Sequence, residues 1–255
     1  MNLIKTCILF FLGVLLAVTN VFAQQDLKLW YQQPAKIWTD ALPVGNGRLG
    51  AMVYGRAQEE LIHLNEETLW SGGPANLNPN PEAPKYLPLI REALFKENYK
   101  TAEELCKKMQ GLYTESYLPL GDLIIKHNFT AEPTDYYRDL DVTNATALTR
   151  FKINGTQYTR EILASVPDQV ILIRLRSDKK GQLNFDATTK SLIRFQNAAG
   201  GQNEFVMKGK APSHVDPNYV NYNPEPVIYE AADNCRGMRY ELRIKAKNKD
   251  GKVTT

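Results

Sequence analysis

Apolar and polar residues alternate along much of the chain. Over "GMRYELRIKAK" (237–247), Met238, Tyr240, Leu242, Ile244 and Ala246 fall on one side, while Arg239, Glu241, Arg243, Lys245 and Lys247 fall on the other. That period of two is the mark of a half-buried strand. Leu49, Ala51 and Val53 alternate in the same way, and Leu61–Leu64 reads as a short strand. From Tyr117 onward strands dominate: "GDLIIKHNF" (121–129), "LTRFKINGTQYTREILAS" (148–165) and "QVILIRLRS" (169–177), the last closed by the turn "DKKG". Asn154-Gly155 suits a two-residue hairpin turn with positive φ. Residues 86–110 change period and read as helix. Leu87, Ile90 and Leu94 form one stripe and Ala102, Leu105, Cys106 and Met109 another, with Asn98 separating two short helices and Gly111 as the stop. Ser71–Pro74 and "NLNPNPEAP" (76–84) are irregular.

These elements define a mainly β chain: a large antiparallel β-sandwich with a short helical insertion near 86–110 and no internal repeat. Asp250-Gly251 is a further hairpin signal. Its return strand has barely begun at Thr255, so the sheet is expected to be cut at the C-terminus, leaving an unpaired edge.

Gly45, Gly47 and Gly50 spell G-x-G-x-x-G, the fingerprint of a phosphate-binding turn. That mechanism needs a strand before the glycines and a helix after them. Pro43 interrupts the first, and Gly55 stops the second after four residues, "AMVY". The glycines are better read as kinks in a turn that feeds a strand.

Composition narrows the function classes. Residues 1–23 combine Lys5, an apolar run from Cys7 to Val18, and Val21-Phe22-Ala23, a small-x-small cut site. This is the pattern of a secretory signal, too short to span a bilayer, so a secreted or periplasmic location is expected, with no membrane contact after cleavage. The remainder, 24–255, is expected to be one domain. Losing Lys5 lowers the formal charge from +3 to +2 (3 − 1), which gives no basic footprint for nucleic acid. Cys106 and Cys235 would remain, either disulfide-linked or both buried and free. His63, His127 and His214 stand far apart, so neither a metal site nor a cofactor is expected.

Seven ordered blocks then assemble: "LPVGNGRLGAMVYG", "IHLNEETLWSGGP", "YLPLGDLII", "YYRDLDVTNA", "TREILASVPDQVILIRL", "APSHVDPNY" and "GMRYELRI". Together they resemble the N-terminal domain of glycoside hydrolase family 95, from about Trp30 to the end. The resemblance implies a β-sandwich that precedes an (α/α)6 barrel in α-L-fucosidases. It implies that the catalytic carboxylates and asparagines lie in that barrel, so no catalytic residue is assigned here. This chain alone is expected to be inactive and to meet its glycan substrate through the missing barrel.

The chain's own carboxylates make a poor catalytic pair. Inversion needs two carboxyl groups ~6.5–9.5 Å apart across a water. Glu66 and Glu67 point to opposite faces of an extended segment. Asp139 and Asp141 share a face, but ion pairing with Arg138 or turn capping accounts for them. Asp122 reads as a turn residue. Three side chains are candidates for a substrate-rim or inter-domain contact. Trp70 offers a plane on which a pyranose stacks, and a core or inter-domain tryptophan is the competing reading. His214 lies between two prolines, with a hydrogen-bonded loop histidine as the alternative. Arg48 could meet a barrel carboxylate or serve the local structure. A stand-alone carbohydrate-binding module is the second functional reading, with Trp70 beside Trp30 or Trp38 as its platform. Asn128, Asn144 and Asn154 each begin an Asn-x-Thr acceptor site, which has meaning only in a glycosylating host.

Overall fold

The computed structural model describes residues 27–74, 77–111, 114–220, 224–230 and 236–254. The expected signal segment and Cys235 lie outside the described residues. In chain order the elements are β1 (Lys28–Tyr31), β2 (Leu42–Gly45), β3 (Leu49–Val53), β4 (Glu59–Glu66), helices α1 (Tyr86–Phe95) and α2 (Tyr99–Met109), then β5 (Gly121–His127), β6 (Thr134–Asp141) and β7 (Thr146–Ile153). They continue with β8 (Thr156–Ser165), β9 (Val170–Ser177), β10 (Phe185–Lys190), β11 (Arg194–Ala199), β12 (Glu204–Lys210), β13 (His214–Val215), β14 (Val227–Ile228) and β15 (Arg239–Lys245).

Two five-stranded antiparallel sheets, β1-β6-β7-β8-β9 and β10-β5-β4-β3-β2, form the sandwich. Between them Val53, Ile62, Leu64, Leu123 and Ile125 of one sheet meet Ala147 and Ile162 of the other. A three-stranded sheet, β11-β12-β15, adds Leu242 and Ile244 to the same core. The outward residues of β15 are all charged and exposed, as the alternation predicts. Among the described residues β15 pairs with β12 alone. No strand follows Asp250-Gly251 there, so the hairpin expected at that point is not formed among the described residues.

The glycine cluster builds a hairpin. β2 and β3 pair from Leu42↔Val53 to Gly45↔Gly50, and Gly47 at φ +93° turns the chain between them. No helix opens at Gly50, so the phosphate-loop reading is excluded by geometry. Pro43 does not break the strand, contrary to expectation. It sits inside β2, which is the last strand of its sheet, where a missing N–H costs no ladder bond. Asn154-Gly155 forms the expected turn, both residues having positive φ (48° and 71°).

The helical insertion splits at Asn98, whose side chain caps α2 by accepting from the Thr101 N–H. The apolar stripes are only half right. Ile90, Ala93 and Ala102 are buried together, with Tyr86, Leu105 and Met109 beside them. Leu87, Leu94 and Cys106 are exposed, because two short helices packed on each other bury one narrow face apiece. The expectation of two buried cysteines fails for Cys106, which is free and exposed. Asp122 is also corrected: it lies within β5, opposite His63 across the strand pair, at 3.6 Å.

Candidate functional site

The three candidate side chains gather at one end of the sandwich. Arg48 follows the β2–β3 turn. Its Nη1 approaches Glu66 Oε1 at 3.3 Å, and its Nε donates to Gln169 Oε1 at 3.0 Å. Gln169 directly precedes β9 of the other sheet, so Arg48 ties the two layers together. Asn46 does the same by donating from Nδ2 to the Ser165 carbonyl at 2.8 Å. Within this chain Arg48 is thus engaged by Glu66 and Gln169.

Past β4 the chain bends, and the Glu67 N–H donates to the Arg48 carbonyl at 3.0 Å. Trp70 stands on this bend, 45% exposed, so the core-tryptophan reading is set aside. Its indole N–H donates to the Glu67 carbonyl at 3.1 Å. Its ring meets Tyr117 edge-on at 5.3 Å, and the Tyr117 hydroxyl donates to Asn65 Oδ1 at 2.5 Å. Trp30 and Trp38 are exposed on β1 and the 38–40 turn, and Trp70 takes Tyr117 as its ring partner instead.

Glu115 links this aromatic pair to His214. Ser71 Oγ donates to Glu115 Oε2 at 2.5 Å, and His214 Nδ1 lies 3.2 Å from Glu115 Oε1. On the other side His214 Nε2 lies 2.8 Å from Asp216 Oδ1. His214 is not in a loop: it begins β13 and pairs with Ile228 of β14. Gly72 makes the approach possible. At φ +87°, a Cβ there would stand 2.5 Å from Glu115 Cγ. Two carboxylates on opposite ring nitrogens hold the imidazole in place, and they do not converge on one point as metal ligands would.

The Asp216 carboxylate, aided by Glu115, pushes the His214 pKa above its usual 6.5 against the effect of burial. The cation then donates from both nitrogens. A raised folded pKa means that the His214 contribution to stability is full below the unfolded value of 6.5. It is lost as pH rises through the folded value. His214→Gln should therefore lower stability on the acid side, leave it little changed well above the folded value, and flatten the curve between the two. Urea unfolding on either side of 6.5 checks this; an unchanged slope would mean that the ring is held by packing alone.

The aspartates of β6 offer no second site. Asp141 caps a turn by accepting from Asn144 N and Nδ2, both at 3.0 Å. Arg138, expected to pair with these aspartates, instead donates to the carbonyls of Gln33 and Asp40. Glu115 and Tyr117 were missed by sequence reasoning. "TESYLP" has no period, and only the strand-like bridge Trp70↔Tyr117 brings it to the bend.

The described residues thus form a layered antiparallel sandwich with an exposed aromatic pair and a carboxylate-clamped histidine at one end. Residues 29–255 match the family described as "Glycosyl hydrolase family 65, N-terminal domain", and the chain belongs to that family. It is 33% identical to Alpha-L-fucosidase 2 of Arabidopsis thaliana over 233 residues, 89% of this chain and 27% of that relative. It is 35% identical over 159 residues to a Probable alpha-fucosidase A of Aspergillus niger, covering 59% of this chain and 20% of the relative. A namesake from Aspergillus oryzae is 28% identical over 172 residues, 64% of this chain and 23% of the relative. The chain thus spans roughly a quarter of the length of these relatives. The description of the matched family carries the number 65, and the fucosidase part of the expectation rests on the relatives' names.

Proposed function

We propose that this chain is the N-terminal, non-catalytic sandwich of a secreted or periplasmic glycoside hydrolase of the family 95 type. In full length that enzyme hydrolyses terminal α-L-fucosyl linkages of glycans with inversion. One observation carries the reading: the likeness to Alpha-L-fucosidase 2 runs through 89% of this chain yet takes in 27% of the relative. The chemistry then belongs to the remaining length, in an (α/α)6 barrel. There one carboxylic acid protonates the leaving oxygen while a second group activates water.

The carboxylates of this chain suit a supporting role. Glu115 and Asp216 are both engaged by His214, which leaves neither free to activate a water. Trp70 and Tyr117 present an aromatic corner to a sugar at the rim, with His214 and Arg48 holding the elements behind it. Incubated with a chromogenic α-L-fucoside, the chain alone should give no turnover, whereas the full-length enzyme should release fucose of inverted configuration. Turnover by the chain that is lost on Asp139→Asn or Asp141→Asn would refute the assignment, as would retention by the full-length enzyme.

A stand-alone carbohydrate-binding module is the second reading, favoured by the exposure of the Trp70–Tyr117 pair. Calorimetric titration of the chain with fucosyl-oligosaccharides separates the two. Saturable heat that disappears in Trp70→Ala would support the module, and no heat would remove it.

A further inference from the structure

Away from the Trp70–His214 end, a cavity of about 170 Å³ opens beside β1, lined by Tyr31, Gln33, Lys36, Thr39, Asp40 and Arg138, among others. Arg138 is 1% exposed. It occupies an inward position of β6, directly opposite Tyr31 of β1, whose ring covers the guanidinium at 4.3 Å. Nε donates to the Gln33 carbonyl at 2.7 Å and Nη1 to the Asp40 carbonyl at 2.8 Å. A guanidinium has about five N–H donors. Two are used here, which leaves three.

No carboxylate forms an ion pair with Arg138 among the described residues. The contrast is Arg160, equally buried, which is paired with Glu60. A buried cation without a counter-charge is costly, and this one lines an opening. Lys36 on the exposed rim adds a second positive charge. Asp40 supplies one negative charge, but its Oδ2 already accepts from the Lys36 and Ile37 N–H groups at 3.3 and 3.4 Å. The lining therefore carries a net charge of +1: Lys36 and Arg138 against Asp40.

We propose that this cavity binds an anionic group carried on a sugar, either the carboxylate of a uronic acid or a sulfate ester. The guanidinium fork matches the spacing of two oxygens on such a group, and Tyr31 fixes the plane of the fork. Sites that swallow a whole small molecule run to ~300–1,000 Å³, so this cavity takes the oxyanion and leaves the ring at its mouth. Trp38, 56% exposed, is the chain neighbour of the lining residue Thr39 and offers a plane for the sugar's C–H face. The proposal does not depend on fucosidase activity, because the reading above gives Arg138 no part.

Calorimetric titration of the chain with galacturonate, glucuronate and sulfated fucose tests it, with neutral fucose and inorganic sulfate as controls. The acidic sugars should bind saturably, more weakly as salt is added, and fucose should not. Lys36→Glu, an exposed rim change that leaves the fold intact, should weaken binding by about tenfold or more. Arg138→Met should abolish it, with circular dichroism to confirm folding; if that variant does not fold, Lys36→Glu decides alone. Three outcomes overturn the proposal: no saturable heat with any acidic sugar, affinity unchanged in Lys36→Glu, or inorganic sulfate binding as tightly as sulfated fucose. The last would mean an adventitious ion only.

Discussion

Replacing Arg160 with methionine should destabilise the domain by about 3–5 kcal/mol, since it strands a buried carboxylate. Glu60 is fully buried and Arg160 nearly so. The Arg160 guanidinium pairs with the Glu60 carboxylate and donates to the Arg56 carbonyl at 3.2 Å. Glu60 Oε1 also accepts from the N–H groups of Gly55 at 2.8 Å and Leu61 at 3.1 Å. Burial pushes the Glu60 pKa up, against the pull of Arg160 and these amides. Without Arg160 that opposition weakens and the pKa climbs further.

A raised folded pKa gives stability that is full below the unfolded value of 4.5 and lost as pH rises through the folded value. The penalty of Arg160→Met should therefore be largest at neutral pH and shrink in acid. Adding Glu60→Gln should recover part of it by removing the stranded charge. Urea denaturation at both pH values reads these effects. A loss below about 1 kcal/mol would show that the pair behaves like a solvated surface pair.

Phe151→Ala should cost a similar amount, about 3–5 kcal/mol, for a different reason. Phe151 is 1% exposed and lies directly across from Tyr158 on the neighbouring strand. The two rings stack at 5.6 Å, and Phe129 meets Phe151 edge-on at 6.0 Å. This satellite core holds Ala57, Ile153 and Leu183 as well. Truncation leaves a ring-sized void that rigid strands on both sides cannot close. His127 reports on it independently. It stacks on Phe129 at 4.7 Å, and burial, aided by Arg160, lowers its pKa to about 4. Water entering the void should move the His127 pKa back toward 6.5, visible by NMR titration. Phe151→Leu, which keeps most of the volume, should retain most of the stability. An unmoved His127 in Phe151→Ala would mean that the cluster collapses around the gap.

The strands that were legible in the sequence are those with one wet face and one dry face. β3, β7, β8 and β15 alternate because each lies between the core and solvent. β10 and β11 escaped because they are polar and largely exposed on both sides, so their sequences have no period of two to read. The buried charges were missed for another reason. Glu60 stands in phase with Ile62 and Leu64, and Arg160 stands in phase with Tyr158 and Ile162. A charge at an inward step of a clean alternation was the signal, and it reads as noise unless its partner on the other sheet is known. Trp70 and His214 were legible as candidates. The Glu115 bridge between them was not, because contacts between residues far apart in the chain leave no local pattern.

β9 ends its sheet, bonded to β8 on one side among the described residues. On its outward face Val170 and Leu172 are followed by Arg174 and Arg176. A bare strand margin with apolar side chains invites a neighbouring molecule to add its own strand, the first step toward fibrils. The two arginines, both reached by Glu161, act as gatekeepers against that growth. Neutralising them would remove that guard and leave the margin open as a seed for aggregation.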